Sequence, residues 1–323
     1  MPPPKVCIVT PAPPASRAGN RNTALRWARI LRRLGCRVVI ETHWGGRPCD
    51  LLVALHARKS RPSLVDFRAR YPARPAVLAL TGTDLYRDIR EDEEAAGALD
   101  LADRLIVLQE EALDPLAAAQ RRKARVIHQS FEATLRHAPP TRSFRACVLG
   151  HLREEKDPFL VVAALRLMAG EALEVVHAGA ALGAGMARDA KRHMRADPRY
   201  LWLGELPHWR AMRLLSRSHV MVISSLMEGG AHVVSEAIAL GVPVIASDIP
   251  GNRGLLGKSY PALFPAGDPA SLAVLIRRAM NEPDCLRRLG RAVRQKRHLV
   301  DPRAEERAWR ALLDELGLCG RVD

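Results

Sequence analysis

Two glutamates, Glu228 and Glu236, flank a glycine pair in the stretch "LMEGGAHVVSEAIALGVPVIAS" at 226–247. Carboxylates can each accept paired hydroxyl hydrogen bonds. Gly229 and Gly230 let the backbone turn tightly or approach a ligand closely. "HVVSEAIALG" has helical spacing and stops at Gly241, a C-terminal cap. If that helix starts near Ala231, Glu236 lies about 7–8 Å along its axis at ~1.5 Å per residue. The turn, Ala231 and His232 would then present backbone N–H groups and a positive helix end to a phosphate. A diphosphate over the turn would have one carboxylate on each side, which fits a nucleotide sugar with ribose at one end and hexose at the other. The same spacing also fits a surface loop glutamate and a solvated helix glutamate, with His232 simply filling the first helical turn.

A second group precedes it in "LGHLREEKDP". Gly150 ends a strand, and Arg153 and Lys156 follow, placing two cations where they could face the same diphosphate. In the first half, Gly19 and Asn20 sit at a helix start flanked by Arg17 and Arg21, a candidate anion site or a turn with solvated arginines. It lacks the G-x-G-x-x-G spacing of a dinucleotide site. His56 ends the strand "LLVALHA", as a binding residue or a satisfied core histidine, and Lys59 and Arg61 follow on a basic loop. His177 ends the strand "LEVVHAG".

These residues need elements to hold them. "KVCIVTP", "CRVVIET", "LLVALHA", "AVLALTG", "RLIVLQ" and "ARVIHQ" read as short buried strands, with "GNRNTALRWARILRRLG" as an amphipathic helix ending at Gly35. A Pro-rich charged stretch near residues 132–143 reads as a linker. A second series follows: "FRACVLG", "LEVVHAG", "YLWLGEL", "HVMVISS" and "VPVIASD". Alternating strands and helices imply parallel sheets covered on both faces. The expected division is 1–140, 141–300, and a final helix in 301–323 that could pack back on the first domain. Two doubly wound domains favour a ligand in the cleft between them.

Composition narrows the classes. The chain has 323 residues, 48% hydrophobic and 26% charged, with a net charge of +15. Basic residues are spread along the whole chain and aromatics are only 4%, which is poor for stacking on nucleic acid. No apolar run approaches a membrane span, and the opening "MPPPKVCIVTP" lacks the apolar stretch of a signal peptide. Six scattered cysteines without a C-x-x-C pair read as reduced thiols. The expectation is a cytoplasmic protein without nucleic-acid partner or membrane insertion.

The second half resembles the GT-B glycosyltransferases of the GT4 type. The likeness rests on Gly150, Arg153 and Lys156 in a Gly-x-x-Arg-x-x-Lys loop, on "LWLGEL", and on Glu228 to Ser247. The resemblance implies that Arg153 and Lys156 bind the donor diphosphate, Glu236 the ribose and Glu228 the transferred sugar. Ala231 replaces the second glycine of the usual E-G-x-G. Many members also carry a His-Asp step at one strand end, where this chain has "LTGTDLY" with Thr81, Thr83 and Asp84 in the catalytic position. The first half, with "TPAPPASRAGNRNTALRWARIL", "LHARKSRPS" and "LTGTDLY", is similar to the selenosugar synthases of selenoneine biosynthesis.

That resemblance implies UDP-GlcNAc or UDP-glucose and selenophosphate as substrates, with no cofactor and no metal. Arg17, Gly19, Asn20, Arg21, His56 and Lys59 are then the acceptor group. Selenophosphate is already an anion with a soft nucleophilic selenium, so a general base is dispensable. Alternatives are a GT4 transferase acting on a lipid, sugar or small-molecule hydroxyl, and, remotely, a nucleic-acid-binding protein. The hexose, the anomeric outcome and the oligomeric state stay open.

Overall fold

The computed structural model describes residues 2–15 and 19–318. Arg17 and Cys319 therefore lie outside the described residues. The chain divides into two compact units, Met1–Gln129 with Pro302–Asp323, and Ser130–Asp301.

The first unit is a six-stranded parallel sheet: β1 (Lys5–Val9), β2 (Arg37–Glu41), β3 (Leu51–Leu55), β4 (Ala76–Ala79), β5 (Arg104–Val107) and β6 (Ala124–Val126), in the order β2-β1-β3-β4-β5-β6. The strands are short and apolar because both faces are covered. Leu52 and Ala54 of β3 enter one core, and Leu51, Val53 and Leu55 enter the other. Period-2 alternation thus splits one strand between two helical layers. The helix Gly19–Arg33 buries Ala24, Trp27, Ala28 and Leu31 on one face. It ends at Gly35, whose φ of 88° is a left-handed conformation that favours glycine.

The helix Pro302–Glu315 belongs to this first unit. Trp309 packs edge-on against Trp27 with ring centroids 5.0 Å apart. Glu305 accepts a hydrogen bond from Trp27 Nε1 at 2.8 Å and pairs with Arg26 at 3.1 Å.

The second unit is a separate six-stranded parallel sheet: β7 (Phe144–Leu149), β8 (Leu173–Ala178), β9 (Tyr200–Trp202), β10 (Val220–Ile223), β11 (Val244–Ser247) and β12 (Leu263–Phe264), in the order β12-β11-β10-β7-β8-β9. Its boundary at Ser130 lies earlier than the sequence-based expectation of 140. The intervening segment is tied to the second unit by Phe131 N–H to Val300 O at 3.1 Å and Ala138 N–H to Ser216 O at 2.8 Å. Both units are α/β and doubly wound, the class that the strand–helix alternation predicts. No helix among the described residues is long and apolar enough to cross a membrane. The described cysteines are all free and buried.

Candidate functional site

In each sheet the chain order reverses beside the first strand, between β1 and β3 and between β7 and β10. Loops leaving the carboxyl ends of such a strand pair diverge and leave a crevice. In the second unit that crevice is lined by Leu149, Gly150, Lys156, Val222, Ser224 and Ser225.

The two loops at this crevice are stitched together. Ser224 Oγ donates to the carbonyls of Lys156 and Asp157 at 3.0 and 2.8 Å. Leu226 N–H donates to Glu155 O at 2.9 Å. Glu228 Oε1 accepts from Ser225 Oγ at 2.7 Å and from the Lys156 ammonium. Lys156 and Glu228 are brought together and largely enclosed, with side chains 20% and 10% exposed. Arg153 stands on the same loop, 42% exposed, its Nε 3.9 Å from Glu155 Oε2.

Glycines on this side are required by close approach. A Cβ on Gly179 would sit 1.9 Å from Gly150 O, and one on Gly251 would sit 2.1 Å from Glu228 O. His177 is buried; its two ring nitrogens meet Tyr200 Oη and Gly150 O, each at 3.0 Å. Burial lowers its pKa to about 4, so the neutral ring braces the Gly150 loop.

Gly229, Gly230 and Ala231 lead into the helix His232–Leu240, which has no side-chain N-cap and ends at Gly241 with φ 75°. Glu236 lies in its second turn with a side chain only 4% exposed. Its Oε1 is 2.8 Å from His208 Nε2 and 3.3 Å from His232 Nδ1. Burial works against ionisation, but the His232 and His208 imidazoles outweigh it and hold the carboxyl at about 2. A solvated helix glutamate is therefore excluded for Glu236. His232 Nε2 also meets the Ser130 carbonyl at 3.2 Å.

In the first unit, Gly19 and Asn20 open the helix Gly19–Arg33. Arg21 follows, its Nε buried without a hydrogen-bond partner. His56 closes β3 with φ 81°, a left-handed backbone that is strained for a residue with a Cβ. Its Nδ1 accepts the Lys59 N–H at 3.4 Å, and Nε2 lies 3.3 Å from Thr83 Oγ1. Burial lowers its pKa below the ordinary histidine value, opposed by Asp84 and Asp88. Lys59 is exposed at the helix start, and Arg61 lies 3.6 Å from Glu94.

Asp84 is fully buried. It accepts N–H groups of Gly82 at 2.7 Å, Thr81 at 2.9 Å and Ala57 at 3.0 Å. Its carboxylate is committed to the backbone: it ties the loop after β4 to the helix after β3 and brings Thr83 to His56. That geometry gives Asp84 a scaffolding role at this loop. Thr81 and Thr83 are half-buried on the loop after β4.

Sequence reasoning missed three residues here. Ser225 and His208 sit in "ISSLMEGG" and "LPHWRA" with no spacing that marks them. Asp88, buried beside Arg58 and Arg87 at 3.4 Å each, lies one helical turn past Asp84.

Comparison with known proteins follows the same division. Residues 132–296 match the family described as glycosyl transferases group 1. A glycosyltransferase 1 domain-containing protein 1 of Xenopus tropicalis is 36% identical over 85 residues, 26% of this chain and 24% of that protein. A glycogen synthase of Mycobacterium tuberculosis is 30% identical over 170 residues, 49% of this chain and 39% of that protein. The chain thus spans well under half the length of these relatives. Among solved structures, sucrose-phosphate synthase from Thermosynechococcus elongatus has a TM-score of 0.81 at 18% identity, covering 98% of this chain and 100% of that one. Anabaena HepE, solved in complex with UDP-glucose, has a TM-score of 0.78 at 15% identity, covering 97% and 100%. These likenesses extend over both sheets and give the fold as GT-B. The family match covers the stitched loops, the Lys156–Glu228 pair and Glu236 together, and the chain belongs to the glycosyl transferases group 1.

Proposed function

We propose that the chain joins selenophosphate to the anomeric carbon of a UDP-hexose, giving a 1-seleno sugar. A selenium lone pair attacks the anomeric carbon, the bond from that carbon to the UDP oxygen breaks, and UDP leaves. Water then cleaves the Se–P bond, in this site or after release, and phosphate departs.

On the donor side, Arg153, Lys156 and the amides at the start of the helix His232–Leu240 would offset the diphosphate charge. Glu236 would take the ribose hydroxyls and Glu228 those of the hexose. The UDP-glucose bound by Anabaena HepE supports a nucleotide-sugar donor for this chain as well.

The observation that carries the acceptor reading is the engagement of the first unit's proton acceptors. Asp84 spends its carboxylate on three backbone N–H groups, and His56 spends its Nδ1 lone pair on Lys59 N–H. An acceptor that arrives already ionised needs no base, and Asn20, Arg21, Lys59 and the Thr83 hydroxyl are suited to its phosphoryl oxygens. Arg17 joins this group from the sequence.

A second reading rests on Asp88, whose buried Oδ2 makes no hydrogen bond but lies 3.4 Å from Arg58 Nε and 3.8 Å from His56 Nε2. A hydroxyl acceptor would need such a base. The deciding experiment incubates the protein with UDP-GlcNAc or UDP-glucose, with and without selenophosphate, and follows UDP release and the selenium isotope pattern by mass spectrometry. A selenium-containing sugar supports the proposal. UDP release to a hydroxyl acceptor, with no selenium product from either donor, overturns it.

A further inference from the structure

His208 opens the helix His208–Ser216, and its Nε2 lies 2.8 Å from Glu236 Oε1. The two side chains differ sharply in exposure, 61% for His208 and 4% for Glu236. The imidazole therefore stands on the solvent side of a carboxylate that is otherwise enclosed. Its counterpart, His232, is held at both ring nitrogens, by Glu236 at 3.3 Å and by the Ser130 carbonyl at 3.2 Å. Phe131 meets both rings edge-on, at 5.8 Å for His208 and 6.4 Å for His232. Of the two imidazoles on this carboxylate, only His208 can swing into solvent without losing a second anchor.

We propose that His208 is a displaceable positioning residue: it holds the Glu236 carboxylate in the ligand-free chain, and a vicinal diol takes its place there. This rests on the nucleotide-sugar reading above, in which the diol is the ribose of the donor. Without His208 the enclosed carboxylate would keep His232 alone, at 3.3 Å, and a buried charge short of partners is costly. An exchangeable imidazole keeps it paired until hydroxyl donors arrive.

The exchange has a pH signature. Glu236 is the charged group that acts on His208; His208 and His232 are those that act on Glu236, and Phe131 contributes only its ring. The hydrogen bond to Glu236 raises the His208 pKa above its ordinary value, against burial. Displacement removes that support, so binding the diol releases a proton between the ordinary histidine value and the raised one. Affinity for the ligand then rises with pH across that window.

The test is calorimetric titration of the full chain with UDP-glucose, whose diphosphate diester does not titrate between about pH 6 and 8. The unaltered chain should bind more tightly as pH rises, by up to about tenfold for each unit that the His208 pKa falls on binding. His208→Ala should bind at least as tightly as the unaltered chain at the acid end, with a flattened profile. His208→Gln, which keeps a donor but cannot titrate, should also be flat. The histidine ring resonance of His208 should report a pKa that drops on adding UDP-glucose. An alanine variant that binds more weakly at every pH, with the slope retained, overturns displacement. Binding by the unaltered chain with a flat profile overturns it too, while leaving the nucleotide-sugar reading intact. No binding of UDP-glucose by the unaltered chain removes both.

Discussion

Glu228 Oε1 is shared between Lys156 and Ser225, so one carboxylate joins the loop after β7 to the loop after β10. The pairing ties together the two loops beside the crevice. Lys156→Met removes a cation proposed to face the diphosphate and leaves Glu228 with the serine alone. Donor binding should weaken by about 1.5–3 kcal/mol, the range for hydrogen bonds to charged groups. Titration with UDP-glucose measures this, and an unchanged affinity would remove Lys156 from the donor site.

Glu236 is held at about 2 in the folded chain, below the ordinary carboxyl value. A depressed carboxyl adds stability that is present above its unfolded pKa of about 4.3 and is lost as pH falls toward the folded value. The difference in melting temperature between the unaltered chain and Glu236→Gln should therefore be greatest between about pH 5 and the ordinary histidine value and shrink on acidification below that window. His208 runs the other way, since its raised pKa adds stability below the ordinary histidine value that is lost as pH rises through the raised one. A gap that grows on acidification below about pH 5 would contradict the Glu236 assignment.

Asp84 is the acceptor for three buried backbone N–H groups. Asp84→Ala should destabilise the chain by about 3 kcal/mol or more, at roughly 1–3 kcal/mol for each unsatisfied group. Asp84→Asn keeps one acceptor oxygen and should recover part of the loss. Urea unfolding gives both values. An alanine variant with full stability but no turnover would refute the scaffolding role and favour the catalytic position expected from the sequence.

Arg21 and Lys59 belong to the first unit, whereas the donor residues belong to the second. Arg21→Ala and Lys59→Ala should lower turnover with selenophosphate by about tenfold, corresponding to ~1.4 kcal/mol each, while UDP affinity stays unchanged. Inorganic phosphate should compete with selenophosphate in the unaltered chain. Loss of UDP affinity in these variants would show that the residues act on the donor.

Turnover should survive EDTA, because Arg153, Lys156 and the helix amides are proposed to supply the charge that a divalent ion would otherwise bring. Activity abolished by EDTA and restored by magnesium or manganese would refute this.

Several features of this protein were determined by the sequence alone. Apolar runs of four to six residues separated by helical periods specify buried parallel strands, because a strand covered on both faces has no polar side to show. Gly35 and Gly241 end their helices at the positions the pattern predicts, since both need a positive φ. The placement of Glu228, Glu236, Arg153 and Lys156 on a helix and after two strand ends was legible because those elements fix their spacing locally. Tertiary structure alone decided the rest. Strand order, the return of Pro302–Glu315 to pack Trp309 on Trp27, and the meeting of His208 with Glu236 join residues far apart in the chain. Asp84 reads as a reactive group in "TGTDLY", and only the approach of Ala57 and the two loop amides reveals it as a backbone clasp. Local pattern fixes which atoms a segment offers, but burial and long-range neighbours fix which of those atoms remain free to react.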